Sequence, residues 1–323
     1  MGSVKEDQYI NEPLANPELH KYRESETIIS QIDTDDKYYS IVNAINNTEI
    51  KEIEEKEDEI SPEIISKLEK IVSKAPKLEL LIKDSLYLEI GLKIKINALG
   101  LVEKSLRGKK DGYTYFGILS PEDSNNEIKI DFSTIDYINN INNIKDNQVQ
   151  YGRQFCIRFN LNDNGYYIKD CCHGNGYGSF MKIIKEMKIK DNTLINIGEN
   201  YVVFTLGVDD LDHDNNYVVN DKILSVKVFR GELNNYSYAF NKKQINKILI
   251  GKNDNCNIVI NDNLLDDIHC IIEYKKGQGW VIQDGSDKKS ENGTWLSLSE
   301  ETKIFEGMII QSNQNIYQCH IIN

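Results

Sequence analysis

From about residue 86 onward the chain runs in short stretches of β-branched and aromatic residues that alternate with polar ones, separated by Asn, Asp and Gly. This pattern predicts strands over residues 88–96, 113–119, 127–132, 155–159, 166–169 and 201–206. The same rhythm resumes after Asp221 and continues to the C-terminus. Short strands at such spacing predict an all-β fold of two successive sandwiches. Ahead of them Ser61 is placed to cap a helix, Pro62 suits its first position, and Ile64, Ile65, Leu68, Ile71 and Val72 recur at helical spacing. Pro76 then closes that helix or opens a short second one over residues 78–81. The apolar stripe is expected to pack on the neighbouring sandwich. Residues 1–60 carry little apolar patterning and end in an acidic run over 49–59. Alone, such a segment cannot bury enough surface to offset its ordering entropy, which makes it an arm.

The second half echoes the first. An offset of 114 residues superposes Cys156 and Ile157 on Cys270 and Ile271, Gly165 on Gly279, Tyr166 on Trp280, Ile168 on Ile282 and Asp170 on Asp284. Asn175-Gly176 answers Asn292-Gly293. A period of about 100 residues exceeds that of solenoid repeats and points to a duplicated domain. The expected organisation is an arm (1–60), a helical segment (61–85), a first sandwich (86–207), a polar linker (208–220) and a second sandwich (221–323), each sandwich folding by itself. His213 stands among the carboxylates of the linker, where a flexible acidic connection explains it better than a metal site.

Charge and cysteine usage narrow the function. With 51 acidic and 38 basic residues the net charge is −13, which repels nucleic-acid phosphates. The basic loop of Lys104, Arg107, Lys109 and Lys110 lies beside the turn residues Gly108, Asp111 and Gly112 and reads as a solvated hairpin tip. No apolar run approaches the about 20 residues of a membrane-crossing helix. Neither nucleic acid nor membrane is therefore an expected partner. Six cysteines without a CxxC pair, in a chain that shows no secretory leader, are expected to be free thiols in a reducing compartment, the cytoplasm. Cys171, Cys172 and His173 are adjacent, but neighbouring strand residues point to opposite faces and do not converge on one ion. No phosphate-cradling Gly-rich loop, kinase signature or metal-ligand motif occurs, so neither catalytic residues nor a cofactor or metal is expected.

In the second half Ile248-Leu249-Ile250-Gly251-Lys252, Asn257-Ile258-Val259-Ile260, Asp266-Asp267-Ile268-His269, Trp280-Val281-Ile282-Gln283-Asp284 and Ser290-Glu291-Asn292-Gly293-Thr294-Trp295 follow one another in order. Together these runs resemble the forkhead-associated (FHA) domain family, whose motifs are Gly-Arg, Ser-x-x-His and Ser-x-Asn-Gly-Thr. The first half resembles it more faintly. There Gly117-Ile118 stands for Gly-Arg, Gly152-Arg153-Gln154-Phe155 for Ser-Arg-x-His, and Asn175-Gly176 or Gly178-Ser179-Phe180 for Asn-Gly-Thr-Phe.

The resemblance implies a phosphothreonine-reading module whose loops, at one end of the sandwich, present Arg, Ser and Asn to the peptide. Lys252 would keep the positive charge of that Arg but lose its forked geometry. Asp266 replaces the Ser donor, and two anions about 4 Å apart at an effective dielectric of 20 repel by roughly 4 kcal/mol. Lys252 could also pair with Asp266 and fill the pocket internally. Asn292 and Gly293 would shape the turn that meets the peptide. Gly251, His269 and Thr294 would be structural. In the first half Ile118 brings no charge, leaving Arg153 as the candidate cation.

Two functions follow. One is a non-enzymatic scaffold whose phosphate pockets have largely degenerated, held with protein partners in a larger assembly that is, by analogy of fold alone, cytoskeletal or ciliary. The other is a phosphothreonine-peptide reader in signalling.

Overall fold

The computed structural model describes residues 60–119, 128–135, 152–171, 178–209, 218–230 and 234–323. The expected arm, most of the linker with His213, and the Cys172-His173 pair lie outside these residues. The helix forms as α1 (Pro62–Ile71), with proline in its first turn. Leu68 is buried, and Ile71 and Val72 pack beside it on the core, as the periodicity predicts. No second helix follows Pro76. Residues 77–85 form a strand, β1 (Lys77–Ser85), because it lies between two other strands that satisfy its backbone on both edges. Leu78, Leu80 and Ile82 bury their side chains. The segment expected to be helical through residue 85 thus supplies a central strand. The strand expected at 88–96 is shorter than predicted.

The remaining strands before residue 183 are β2 (Lys93–Asn97), β3 (Gly100–Leu101), β4 (Tyr113–Ile118), β5 (Phe132–Ser133), β6 (Gly152–Asn160), β7 (Gly165–Asp170) and β8 (Ser179–Lys182). After them come β9 (Met187–Lys188), β10 (Thr193–Ile197), β11 (Asn200–Asp209), β12 (Val218–Arg230), β13 (Asn234–Asn241), β14 (Lys247–Gly251), β15 (Ile258–Val259), β16 (Cys270–Lys275), β17 (Gly279–Asp284) and β18 (Trp295–Ser297). The chain ends with β19 (Thr302–Lys303), β20 (Ile309–Ser312) and β21 (Asn315–Ile322). Among the described residues the fold is all-β apart from α1, as expected. Residues 128–131, expected as strand, precede the short β5.

The strands do not group as the order of the sequence suggests. One 11-stranded sheet runs β13-β12-β11-β10-β18-β8-β20-β21-β1-β2-β3. Two five-stranded sheets, β15-β14-β16-β17-β9 and β19-β7-β6-β4-β5, complete the fold. Strands β9, β10 and β11 therefore pair with β17, β18 and β12 of the second half. Reciprocally, β19, β20 and β21 pair with β7, β8 and β1 of the first. Each half lends its last three strands to the other. The crossings are short, residues 183–186 and 298–301. The expected linker at 208–220 includes paired backbone, since Val208 faces Val219 in the β11–β12 hairpin.

Two cores result, and each draws on both halves. The first joins Leu80, Phe116, Phe155 and Ile157 to Met308, Ile310, Tyr317 and Cys319, with Phe116 and Phe155 stacked at 4.5 Å. The second joins Ile195, Ile197, Val202 and Phe204 to Leu224, Ile250, Ile272 and Trp280. At the junction β8 and β18 run antiparallel, Met181 opposite Leu296. Matching hydrogen bonds, Ile183 N–H to Thr294 O and Leu298 N–H to Ser179 O, close the pair on either side.

The register also corrects the expected repeat. Phe155 faces Asp170 in the first half, and Cys270 faces Asp284 in the second. Phe155, not Cys156, is the counterpart of Cys270, and Gln154 that of His269. The cause is one additional residue in the β6–β7 turn, 161–164 against 276–278. Because strand side chains alternate between faces, that single residue decides which side chain enters the core.

Candidate functional site

Three connections of the second sandwich meet at one end: residues 252–257 after β14, 260–269 after β15 and 285–294 after β17. A buried imidazole holds them. His269 is fully buried. Its Nδ1 accepts the Asp266 N–H at 3.3 Å, while Nε2 lies 3.1 Å from Gly293 O. A backbone N–H can only donate and a carbonyl only accept, so these partners specify the neutral tautomer with its proton on Nε2. Burial lowers the His269 pKa from its ordinary value of 6.5, against smaller opposing contributions from the Gly293 carbonyl and the carboxylates of Asp284, Asp266 and Asp262. His269 bridges the 260–269 loop and the 285–294 loop from within.

Behind the 285–294 loop, Asp284 Oδ1 accepts Ser290 Oγ–H at 2.5 Å and Thr294 Oγ1–H at 2.8 Å. Ser290 Oγ accepts the Gly293 N–H in turn. Thr294 is fully buried. Gly293 has φ +81°, a conformation that side-chain-bearing residues rarely adopt. Gly251 is required for a different reason: a Cβ there would overlap the Asp267 carbonyl as β14 passes beneath the loop. Gly117 meets the Gly152 carbonyl in the same way in the first sandwich.

Lys252, Asp266, Asn292 and Gly293 come together at this end. Lys252 is exposed, and its backbone N–H is bonded to Asp266 O at 3.1 Å. Its ammonium does not pair with Asp266, the internal pairing considered above. The Asp266 carboxylate instead reaches the other loop and accepts the Glu291 N–H at 3.2 Å. Asn292 Nδ2 donates to Leu264 O at 2.7 Å, joining the same two loops a second time. Asn292 O accepts the Trp295 indole N–H. The end therefore presents a cation beside a carboxylate on a surface cross-tied at several points.

Arg153 stands elsewhere. It lies at the start of β6, donates from Nε to Lys129 O at 2.8 Å and stacks its guanidinium 3.8 Å from the centre of the Tyr115 ring. Its counterpart by register is Ile268, not a phosphate-facing residue. The position matching Lys252 is held by Ile118, which is fully buried. Asn175-Gly176 lies outside the described residues. β8 follows β7 and β18 follows β17, and the two are antiparallel, so they enter the junction from opposite directions.

The basic loop expected as a solvated tip is partly structural. The Arg107 side chain is 2% exposed and forks onto Asp111 at 2.7 and 2.9 Å. It also pairs with Asp131, whose side chain is 1% exposed, and lies over the Tyr115 ring. Lys110 bonds Leu101 O.

Two residues at these ends escaped the sequence pattern. Gln154 is buried in the place of His269, accepting the Thr134 hydroxyl at 3.0 Å. Lys182 stands opposite Trp295 in the β8–β18 pair and lies against Gly293. No local signal marks Lys182, because it reaches the loops of the second half only through the strand exchange.

At this end of the second sandwich the cross-tied loops carry a lysine, an Asn-Gly turn and a buried bracing histidine. Residues 248–316 match the FHA domain family, and the chain carries an FHA domain there. Among curated proteins, none matches the chain. Among the described residues no helix is long and apolar enough to cross a membrane.

Proposed function

We propose that the chain is a non-enzymatic interaction protein that joins protein partners, with a weakened phosphate pocket on the second sandwich and a first sandwich that is a degenerate FHA copy. The carrying observation is the Asp266 carboxylate, turned across the loop end to the Glu291 N–H beside the exposed Lys252. A phosphate brought to that lysine meets a fixed anion, and the Lys252 ammonium lacks the forked geometry that would outweigh it. Supporting the degenerate first copy are its matching register and close-approach glycine, together with the buried Ile118 in the cation position.

The second reading, a phosphothreonine reader, is favoured by the intact Asn292-Gly293 turn and by the Lys252 ammonium, which pairs with no described residue. Calorimetric titration with phosphothreonine peptides and their unphosphorylated controls separates the two. The wild type is expected to bind weakly, and Asp266→Ser with Lys252→Arg to bind about tenfold or more tightly, roughly 1.4 kcal/mol. Low-micromolar, phosphate-dependent binding by the wild type would reject the weakened pocket and establish the reader.

A further inference from the structure

We propose that Lys182, lent by the first half of the chain, is a recognition residue of the second sandwich's loop end, where it binds an acidic or phosphorylated side chain flanking the docked segment. This rests on that end being the docking surface proposed above. The placement comes from the strand exchange. Lys182 closes β8 opposite Trp295, the first residue of β18, and β18 is continuous with the Asn292-Gly293 turn. The lysine stem lies so close to Gly293 that a Cβ there would overlap its Cε and stand 2.8 Å from Nζ. The ammonium is 5.7 Å from the centre of the Trp295 ring, whose indole N–H is tied to Asn292 O.

Gly293 therefore does two things: it makes the turn at positive φ, and it leaves room for a cation from the other half. Lys182 is half-buried, and no hydrogen bond or ion pair joins its ammonium to a described residue. Contacts lead from Lys252 through Asp266, Glu291 and Asn292 to Gly293 and Lys182. A lysine thus stands at each end of this line of contacts, with the Asp266 carboxylate, bonded to the Glu291 N–H, between. A peptide anion is repelled at the middle and attracted at the ends. The Lys182 end is the drier of the two, so a charge-assisted bond there is less screened by solvent.

The test uses the full chain on a peptide array. Each peptide carries Thr or phosphothreonine at the centre and has one flanking position varied among Asp, Glu, phosphoserine, Ala and Lys. Wild type is expected to retain peptides with an anion at one flanking position about tenfold over the Ala peptide. Comparing the Asp and Glu arms with the phosphoserine arm tells carboxylate from phosphate. Lys182→Met, which keeps the stem, should lose that preference while Ala-flanked peptides bind as before. Lys182→Glu should turn the preference toward Lys, a reversal that loosened packing does not produce. Peptide binding with selectivity unchanged in both variants overturns the role of Lys182 and leaves the loop end as a docking surface. Failure of the wild type to retain any peptide overturns both.

Discussion

The exchange of strands makes a quantitative claim about the halves of the chain. Expressing residues 60–209 and 218–323 separately gives two fragments. The second fragment then loses Ile183, Ile189, Ile195, Ile197, Val202 and Phe204 from its core, all six fully buried. At roughly 1.5–3 kcal/mol for each such side chain, the loss is about 9–18 kcal/mol. Whole domains are stable by about 5–15 kcal/mol, so the fragment alone should not retain the observed core. The first fragment is deprived in the same way of Ile304, Met308, Ile310, Tyr317 and Cys319. Neither fragment is expected to unfold cooperatively as a monomer. An equimolar mixture is expected to form a one-to-one complex with a single thermal transition. Sedimentation and calorimetric melting of each fragment and of the mixture measure this. A monomeric 218–323 that melts cooperatively near the temperature of the full chain would refute the reasoning, since its own β20 and β21 would then have folded back into the places of β10 and β11.

Three further outcomes follow from particular contacts. His269→Ala leaves the Asp266 N–H and Gly293 O without their partner, and thermal melts should show a loss of about 1–3 kcal/mol. Because burial lowers the His269 pKa, the unfolded chain binds the proton more readily; the stability His269 confers is present above pH 6.5 and lost as pH falls toward its folded pKa. Denaturant midpoints between pH 7.5 and 5 should fall less in His269→Gln than in the wild type, and equal slopes would contradict the buried neutral form. Arg107→Ala removes the cation from the buried Asp131 carboxylate, which keeps the Ser105 hydroxyl and the Tyr115 N–H, and should cost about 2–4 kcal/mol in urea unfolding, whereas a solvated tip would cost almost nothing. Gln154→Ala should cost about 0.5–1.5 kcal/mol in the same assay, because it removes one of two acceptors of the buried Thr134 hydroxyl and leaves the Gly117 carbonyl as the other.

Much of this was legible in the chain. The helical spacing from Ile64 to Val72 located α1, because one apolar stripe at that period has one way to bury itself. Alternation and turn residues located β4, β6, β7 and β11, and the ordered motifs from Gly251 to Thr294 brought Lys252, Asp266, Asn292 and Gly293 to one end. These are local properties: period, turn chemistry and the order of motifs along one module. Three matters were decided by the tertiary structure. Residues 78–81 carry apolar side chains that fit either a short helix or a strand, and pairing with both β2 and β21 chose the strand. Cys156 and Cys270 looked equivalent, but one residue in a turn passed the core position to Phe155 and that of the buried histidine to Gln154. Above all, each half contains strands that could complete its own sandwich, and nothing local distinguishes that pairing from the reciprocal one. Similar apolar faces are buried either way. The choice falls to the short crossings at 183–186 and 298–301 and to the β8–β18 pair they permit, which carries Lys182 to the loops of the other half. Such contacts depend on how strands distant in sequence are paired, which the alternation of hydrophobic and polar residues does not encode.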